Sequence, residues 1–482
     1  MAEYLRPDVY VEEVSTGEKP IQAVSTSTGA FIGVTVRGEV GVPQLVTSWT
    51  EFVNKYALGC DTPFLKNSDL PNAVYGFFQN GGARCYIVRV ASASAVASKI
   101  LIAEEGLEIL AKDPGSWAND NLKVKVVTGI GNTFNVQVYS KNALVETLEG
   151  LSNTKTDVNY FVDVINQTSN YISVDPATDK VLVQTDAFKE LAGGDDNYVG
   201  ITNSDFTGEN GLNALDLVSD VNLVAIPGKT ESAIASALIG YCDNRNDCFA
   251  IIDSPQGADL EAIKEYREAL GGTNGAVYYP WGKIADPIGI NSKSMKVCPP
   301  SGHIMGVYAR IDNSRGVYKA PAGEECVVRG FADLEVTLKL GAVDVLNPLG
   351  VNCIIAKPNK GIVVWGARSL ASDTSKRYVS DVRYDLMVRK SLYEGTQWAV
   401  FEPNDETLWE KVDTSLRSFL DTQWRSGALR GSTSDEAYYV KCDSELNDET
   451  AINNGQLVAE IGYAKQKPAE FVIIKIVQKQ SE

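Results

Sequence analysis

The sequence predicts a mixed α/β and α+β protein of several domains, and three observations carry that prediction. Residues 216–270 run VNLVAIPG, a helix over 230–242, CFAIIDSP and a helix over 258–270, the β-α-β-α order of a unit with parallel strands. Residues 93–215 change texture to short β-rich segments, LKVKVVTGI, TFNVQVYS and YISV, divided by Asn, Thr, Asp and Gly. Each end of the chain carries a strand-like run: Val9-Tyr10-Val11-Glu12-Glu13-Val14 at the start and Phe471-Val472-Ile473-Ile474-Lys475-Ile476-Val477 at the end.

Taken in order, residues 1–20 read as one strand on a tether, between Pro7 and the breakers Gly17 and Pro20. Residues 21–92 alternate the runs GAFIGVTV, PQLVTSW and CYIVRV with helical stretches, one of them SWTEFVNKYALG, capped by Ser48 or Thr50 and carrying Phe52, Val53 and Tyr56. With residues 216–350 they make a middle α/β domain, from which the β-rich segment 93–215 is inserted as an exposed outer domain. Residues 351–470 form a C-terminal core. There Tyr378, Val379, Val382, Leu386 and Leu392 recur at three- and four-residue steps up to Gly395. A second helix starts at Asn404 or Asp405 and buries Leu408, Val412, Leu416, Phe419, Leu420 and Trp424, leaving Lys411, Arg417 and Arg425 on another face. The closing strand over 471–477 is apolar on nearly both faces. It must be covered on both sides and paired on an edge, by this chain or by a neighbour's sheet.

The chain has 482 residues, 62 acidic against 44 basic, and a net charge of −18. That length suits about three domains, and 44% hydrophobic residues suffice for cores in each. The acidity is uneven: residues 93–215 carry −9, residues 1–350 carry −16 and residues 351–482 only −2. No clustered Lys and Arg block exists to meet phosphates, so nucleic acid is not an expected partner. No apolar run approaches the roughly 20 residues that span a bilayer, and MAEYLRPDVYVEE has no apolar signal region, so membrane insertion is not expected and synthesis in the cytosol is.

Chemistry-bearing motifs are sparse. The eight cysteines are scattered, and the nearest pair, Cys242 and Cys248, lacks metal or redox spacing. His303, the single histidine, has no nucleophile elbow or metal-ligand neighbour beside it. Gly228-Lys229-Thr230 lacks the upstream glycine of a phosphate loop, and Gly193-Gly194-Asp195-Asp196 lacks the ligand ladder of a calcium loop. Catalytic, metal and cofactor residues are therefore expected to be absent. The competing reading is an α/β hydrolase- or ligase-like enzyme working through the acidic clusters of 193–209 or the loop at 227–230.

Several dense segments bear a joint resemblance. LRPDVYVEEVSTG, STSTGAFIGVTVRG, YGFFQNGGARCYIVRV and DPGSWANDNLKVKV are followed by YYPWGKIADP, PPSGHIMGVYARIDNSRGVYKAPAG, LNPLGVNCI, GIVVWGARSL and GTQWAVFEPNDETLWEKV. In order and spacing the chain resembles the contractile tail sheath proteins of phages and related contractile injection systems. The resemblance implies a subunit that stacks as six-fold rings around an inner tube, with baseplate and terminator or cap proteins as further partners and no cofactor. It implies a tube-proximal core completed by strand exchange, to which Val9, Tyr10, Val11, Glu12 and Val14 would contribute from residues 1–20. Phe471, Val472, Ile473, Ile474, Ile476 and Val477 would contribute from residues 471–482. Lys411, Arg417 and Arg425 are candidates to face the tube, and the product would be a phage virion or a released or anchored contractile particle.

Overall fold

A computed structural model describes residues 20–102, 106–289, 293–471 and 473. The chain divides into two compact units, residues 25–383 and residues 1–24 with 384–482.

In the larger unit, strand β1 (Gly29–Gly33) is buried along its whole length, as GAFIG requires of a strand with no polar face. It leads to β2 (Gln44–Val46), helix α1 (Trp49–Tyr56), helix α2 (Leu70–Asn80) and β3 (Cys85–Arg89). Of the two expected caps of α1, Ser48 is the one used: its Oγ accepts the Glu51 N–H at 3.1 Å. Beyond residue 215 follow β4 (Leu223–Ala225), α3 (Ser232–Arg245), β5 (Phe249–Asp253), α4 (Leu260–Glu268), β6 (Gly275–Tyr279), α5 (Ser301–Arg315), β7 (Val351–Lys357) and β8 (Gly361–Val364).

These strands make one eight-stranded sheet in the order β8-β7-β6-β5-β4-β1-β3-β2. The six strands from β7 to β3 are parallel, and β8 and β2 close the edges antiparallel. A mainly parallel sheet needs cover on both faces. On one face Ile234, Leu238 and Ile239 of α3 and Ile263 of α4 pack with Ile32, Val88, Val224, Ile252 and Val277. On the other lie α2 and α5, with Phe31 meeting Phe77 edge to face at 5.6 Å. Helices α2 and α5 approach closely because Gly76, Gly302 and Gly306 stand where any side chain would overlap the opposite helix.

The segment between β3 and β4 has its own sheets and core. Leu122–Thr128, Phe134–Ser140, Ala143–Leu151 and Lys189–Glu190 form an antiparallel sheet, and Lys99–Leu101, Glu108–Ala111 and Ile172–Ser173 form another. In LKVKVVT the inward residues Leu122, Val124 and Val126 are buried and join Val136, Val138, Phe161 and Ile165 in one cluster. Two buried arginines tie this segment to the loops around the large sheet. Arg89 donates to the carbonyls of Gly38 and Pro114, and Arg37 pairs with Asp113 at 2.9 Å under the Trp117 ring.

The expected start of a C-terminal core at residue 351 falls inside the large sheet. β7 pairs with β6 and β8 with β7, and the compact division lies between residues 383 and 384. The run VNCIIAK is too apolar to be an edge of a small domain, since its first four residues are buried.

Helix α6 (Val379–Gly395), which belongs to the smaller unit from residue 384 on, ends at the glycine that the periodicity marks, and an added Cβ on Gly395 would meet Ile21 at 2.6 Å. Helix α7 (Glu406–Arg425) is capped by Asp405, whose side chain accepts the Leu408 N–H at 2.9 Å. Asn404 is the other expected cap; it receives the Trp409 indole N–H at 2.7 Å instead. Leu408, Val412, Leu416, Phe419 and Leu420 are buried as the stripe requires, and Trp409 and Ser415 join them. Trp424 is only half-buried, because its indole reaches the Gly431 carbonyl. Tyr438–Lys441 and Glu460–Tyr463 pair antiparallel as a two-stranded sheet.

Candidate functional site

In an open parallel sheet, ligands gather at the carboxyl ends of the strands where the strand order reverses, here between β1 and β4. In this chain protein groups fill that place. The carboxylate of Asp253, at the end of β5, accepts the Gly228 N–H at 3.1 Å, the Ser301 N–H at 2.7 Å and the Ser301 hydroxyl at 2.8 Å. Gly228 sits at φ +73 against Asp69, which pairs with Lys296 at 3.1 Å, and Lys229 lies over the Phe206 ring at 4.6 Å. Main-chain N–H groups that a phosphate would need are thus turned to an internal carboxylate, and the enzyme reading of the loop at 227–230 loses its geometry.

Burial raises the Asp253 carboxyl to about 7, against the three hydrogen bonds that favour its charge. Between the ordinary value near 4 and about 7 the folded chain holds a proton that the unfolded chain has lost. Each unit rise of pH across that window costs about 1.4 kcal/mol of stability. Denaturant midpoints are therefore expected to be higher at pH 5 than at pH 8, with the difference shrinking in Asp253→Asn; equal differences in both proteins would remove Asp253 as the cause.

The other reactive residue types are structural. His303, 1% exposed on α5, packs at a tilt against Phe331 with ring centres 4.4 Å apart, and burial lowers its pKa to about 3, so it is a neutral ring at physiological pH. All eight cysteines are free, seven of them buried and Cys60 half-buried. Asp195 and Asp196 serve turns: Asp195 accepts the Asn197 N–H, and Asp196 accepts from Ser116. Among the described residues no group of His, Cys, Asp and Glu is placed to hold a metal, and no helix is long and apolar enough to cross a membrane.

The candidates for assembly fare differently from one another. Val9, Tyr10, Val11, Glu12, Val14, Val472, Ile474, Ile476 and Val477 lie outside the described residues. Phe471 and Ile473 lie within them, exposed and in no strand. Lys411, Arg417 and Arg425 are all exposed on α7. Two are partly neutralised one turn back: Arg417 by Asp413 at 2.5 Å and Arg425 by Asp421 at 2.6 Å. Arg417 also donates to the Val440 carbonyl. Lys411 has no ion pair among the described residues, and it shares its face with Thr407, Thr414, Ser418, Thr422 and Arg425. Beside α7, the pair Tyr438–Lys441 and Glu460–Tyr463 has no third strand among the described residues; Arg417 takes the outward Val440 carbonyl on one outer edge, and the outer edge of Glu460–Tyr463 is the one left open to another strand.

Residues 200–370 match the phage tail sheath protein central domain, and residues 371–479 match the phage tail sheath C-terminal domain. The chain belongs to the phage tail sheath family. A putative prophage major tail sheath protein of Pseudomonas aeruginosa is 25% identical over 258 residues, 52% of this chain and 62% of that protein. The matched stretches span between 46% and 62% of the length of three such sheath relatives. The fold is shared with the contracted helical sheath of the anti-feeding prophage, at TM-score 0.62, 23% identity and coverage of 99% of this chain and 100% of that one. It is shared equally with the contracted PVC sheath of an extracellular contractile injection system, at TM-score 0.62, 21% identity and 99% coverage of each.

As a tail sheath family member the chain belongs to a structural, non-enzymatic group. Sequence reasoning missed Asp253 and Ser301, although an acidic residue ending the apolar strand FAIID and a serine opening α5 are signals for an internal helix-terminus carboxylate. In TQWAVF, an apolar run of this sheath chain, Val400 and Phe401 stand out into solvent.

Proposed function

We propose that the chain is the subunit of a contractile sheath that polymerises as stacked six-fold rings around an inner tube. Contraction then drives the tube through a target envelope. Family membership carries this reading, and the open two-stranded sheet of the smaller unit supports its mechanism. Two strands alone are marginal in water. A sheet of that size gains stability when a neighbour's arm, residues 1–20 or 471–482, adds a strand by main-chain hydrogen bonding. Such bonds tether subunits while rigid bodies rotate, and the more stable packing of the contracted state supplies the work. The partners are other copies of the chain, a tube protein, a baseplate and a terminator or cap. Assembly in the bacterial cytoplasm yields a phage tail or an extracellular injection particle.

Lys411 and Arg425 lead the tube-facing surface, with Arg417 at its margin because part of its hydrogen bonding is spent inside the subunit. The acidic segment 93–215 faces outward and keeps the polymer soluble.

Negative-stain microscopy tests the reading. Wild type is expected to form striated tubes, while deletions of residues 1–15 and of 471–482 leave folded chains that form none. Tubes from either deletion remove that arm from the mechanism, and a wild type that stays monomeric overturns the reading. In the same assay with purified inner tubes, Lys411→Glu with Arg417→Glu and Arg425→Glu abolishes sheath loading; undiminished loading takes these residues off the tube-facing surface.

A further inference from the structure

A cavity of about 470 Å³ opens between α2, α5 and the strand Gly282–Ala285. Its wall is aromatic: Trp49 stacks on Phe64 with ring centres 5.4 Å apart, and Tyr75 meets Trp49 edge to face at 5.0 Å. Tyr75 stands at the rim, 42% exposed. Asn72 also lines it, 1% exposed, and neither its Nδ2 nor its Oδ1 has a partner among the described residues. A buried carboxamide with both atoms unspent is matched by a partner that brings one donor and one acceptor, as the main-chain N–H and C=O of a single residue do.

The smaller unit carries the complement of such a cavity. Phe401 is fully exposed, its neighbour Val400 is 59% exposed, and the Phe401 N–H and C=O take no hydrogen bond among the described residues. Its backbone is at φ +68, a left-handed conformation that costs a bulky residue energy and is held where the side chain must project. An exposed aromatic on a strained turn is the form of an interface anchor.

We propose that Phe401 of one copy docks in the Asn72 cavity of a second copy. Its ring lies against Trp49 and Tyr75, and its main-chain N–H and C=O turn toward the Asn72 carboxamide. This rests on the polymerisation reading above and adds to it a contact separate from strand exchange. The site is sized for one aromatic anchor with adjoining main chain, within the range of about 300–1,000 Å³ typical of binding cavities.

The test joins Tyr75→Cys and Phe401→Cys in one chain, assembles it and treats the tubes with the thiol oxidant diamide. A ladder of dimers and larger species on a non-reducing gel is expected, absent from either single variant and abolished by reductant. Tubes that stay monomeric on the gel, or that link only within a chain, overturn the proposal while leaving polymerisation intact.

Should the double variant not assemble, Phe401→Gly and Phe401→Leu decide. The glycine relieves the left-handed turn, so its melting temperature is expected to equal or exceed wild type while its assembly threshold rises about tenfold or more. The leucine variant is expected to fall between glycine and wild type. Phe401→Gly tubes at the wild-type concentration overturn the proposal. A glycine variant that assembles into sheath alone but fails only with inner tubes does so as well, because it assigns Phe401 to the tube.

Discussion

Gly302→Ala is expected to destabilise the larger unit by about 3 kcal/mol, read as a lowered urea midpoint at unchanged slope. The cause is main chain against main chain. A Cβ on Gly302 overlaps the Cα, carbonyl carbon and oxygen of Ala73 on α2, none of which can swing aside as a side-chain tip can. At Gly306, one turn on, a Cβ would lie 2.5 Å from the Phe77 carbonyl oxygen and 2.6 Å from the Asn80 Cβ. Gly76 on the opposite helix leaves room for the His303 ring. The pair therefore meets through three small positions, and one methyl must push α2 and α5 apart over a face where Phe31, Phe77 and Met305 are fully buried. Close-packed interiors do not absorb such a shift. Gly240→Ala is the control, since a Cβ there meets nothing within 4 Å and alanine favours a helix by about 1 kcal/mol over glycine. Equal effects of the two substitutions would mean that the helices do not approach as described.

What the sequence made legible was whatever depends on short-range pattern. The β-rich texture of LKVKVVT placed a strand, the three- and four-residue steps placed α7, and the glycine at 395 placed the end of α6. Joining strands distant in sequence was harder. β1 lies between β3 and β4, which are separated by 133 residues between Arg89 and Leu223, and no local period records that neighbourhood. For the same reason the run at 351–357 reads as part of the C-terminal core, although its partner is β6. The candidate surfaces divide by the same logic. Charges leaving the apolar stripe of α7 are visible in the sequence, but their neutralisation is visible only for Asp413 with Arg417 and Asp421 with Arg425, which are one turn apart. The hold of Arg417 on Val440 crosses from helix to strand and was invisible. So was the exposure of Phe401, because an apolar run is ordinarily a buried one.

Arg383→Met is expected to cost about 3–5 kcal/mol, more than any exposed ion pair of the chain can supply. Arg383 is the last residue of the larger unit, and its guanidinium meets Asp312 of α5 through two nitrogens at 2.5 Å and 3.0 Å. Both side chains are 3% exposed, and the same guanidinium donates to the Thr26 carbonyl and lies over the Tyr308 ring at 4.7 Å. Methionine keeps the apolar stem and removes the charge, so Asp312 stays buried with only the Thr26 hydroxyl, at 2.7 Å, to answer it. The cost belongs to that orphaned carboxylate more than to the lost attraction. Adding Asp312→Asn in the same chain removes the orphan, and the double variant is expected to recover most of the loss. By contrast Arg425→Met breaks a pair whose arginine is 74% exposed and is expected to change the unfolding free energy, read from urea denaturation, by less than about 0.5 kcal/mol. If the double variant is as unstable as Arg383→Met alone, the buried charge is not the source of the penalty. The contacts to the Thr26 carbonyl and to the Tyr308 ring of α5 would then be the source of the loss.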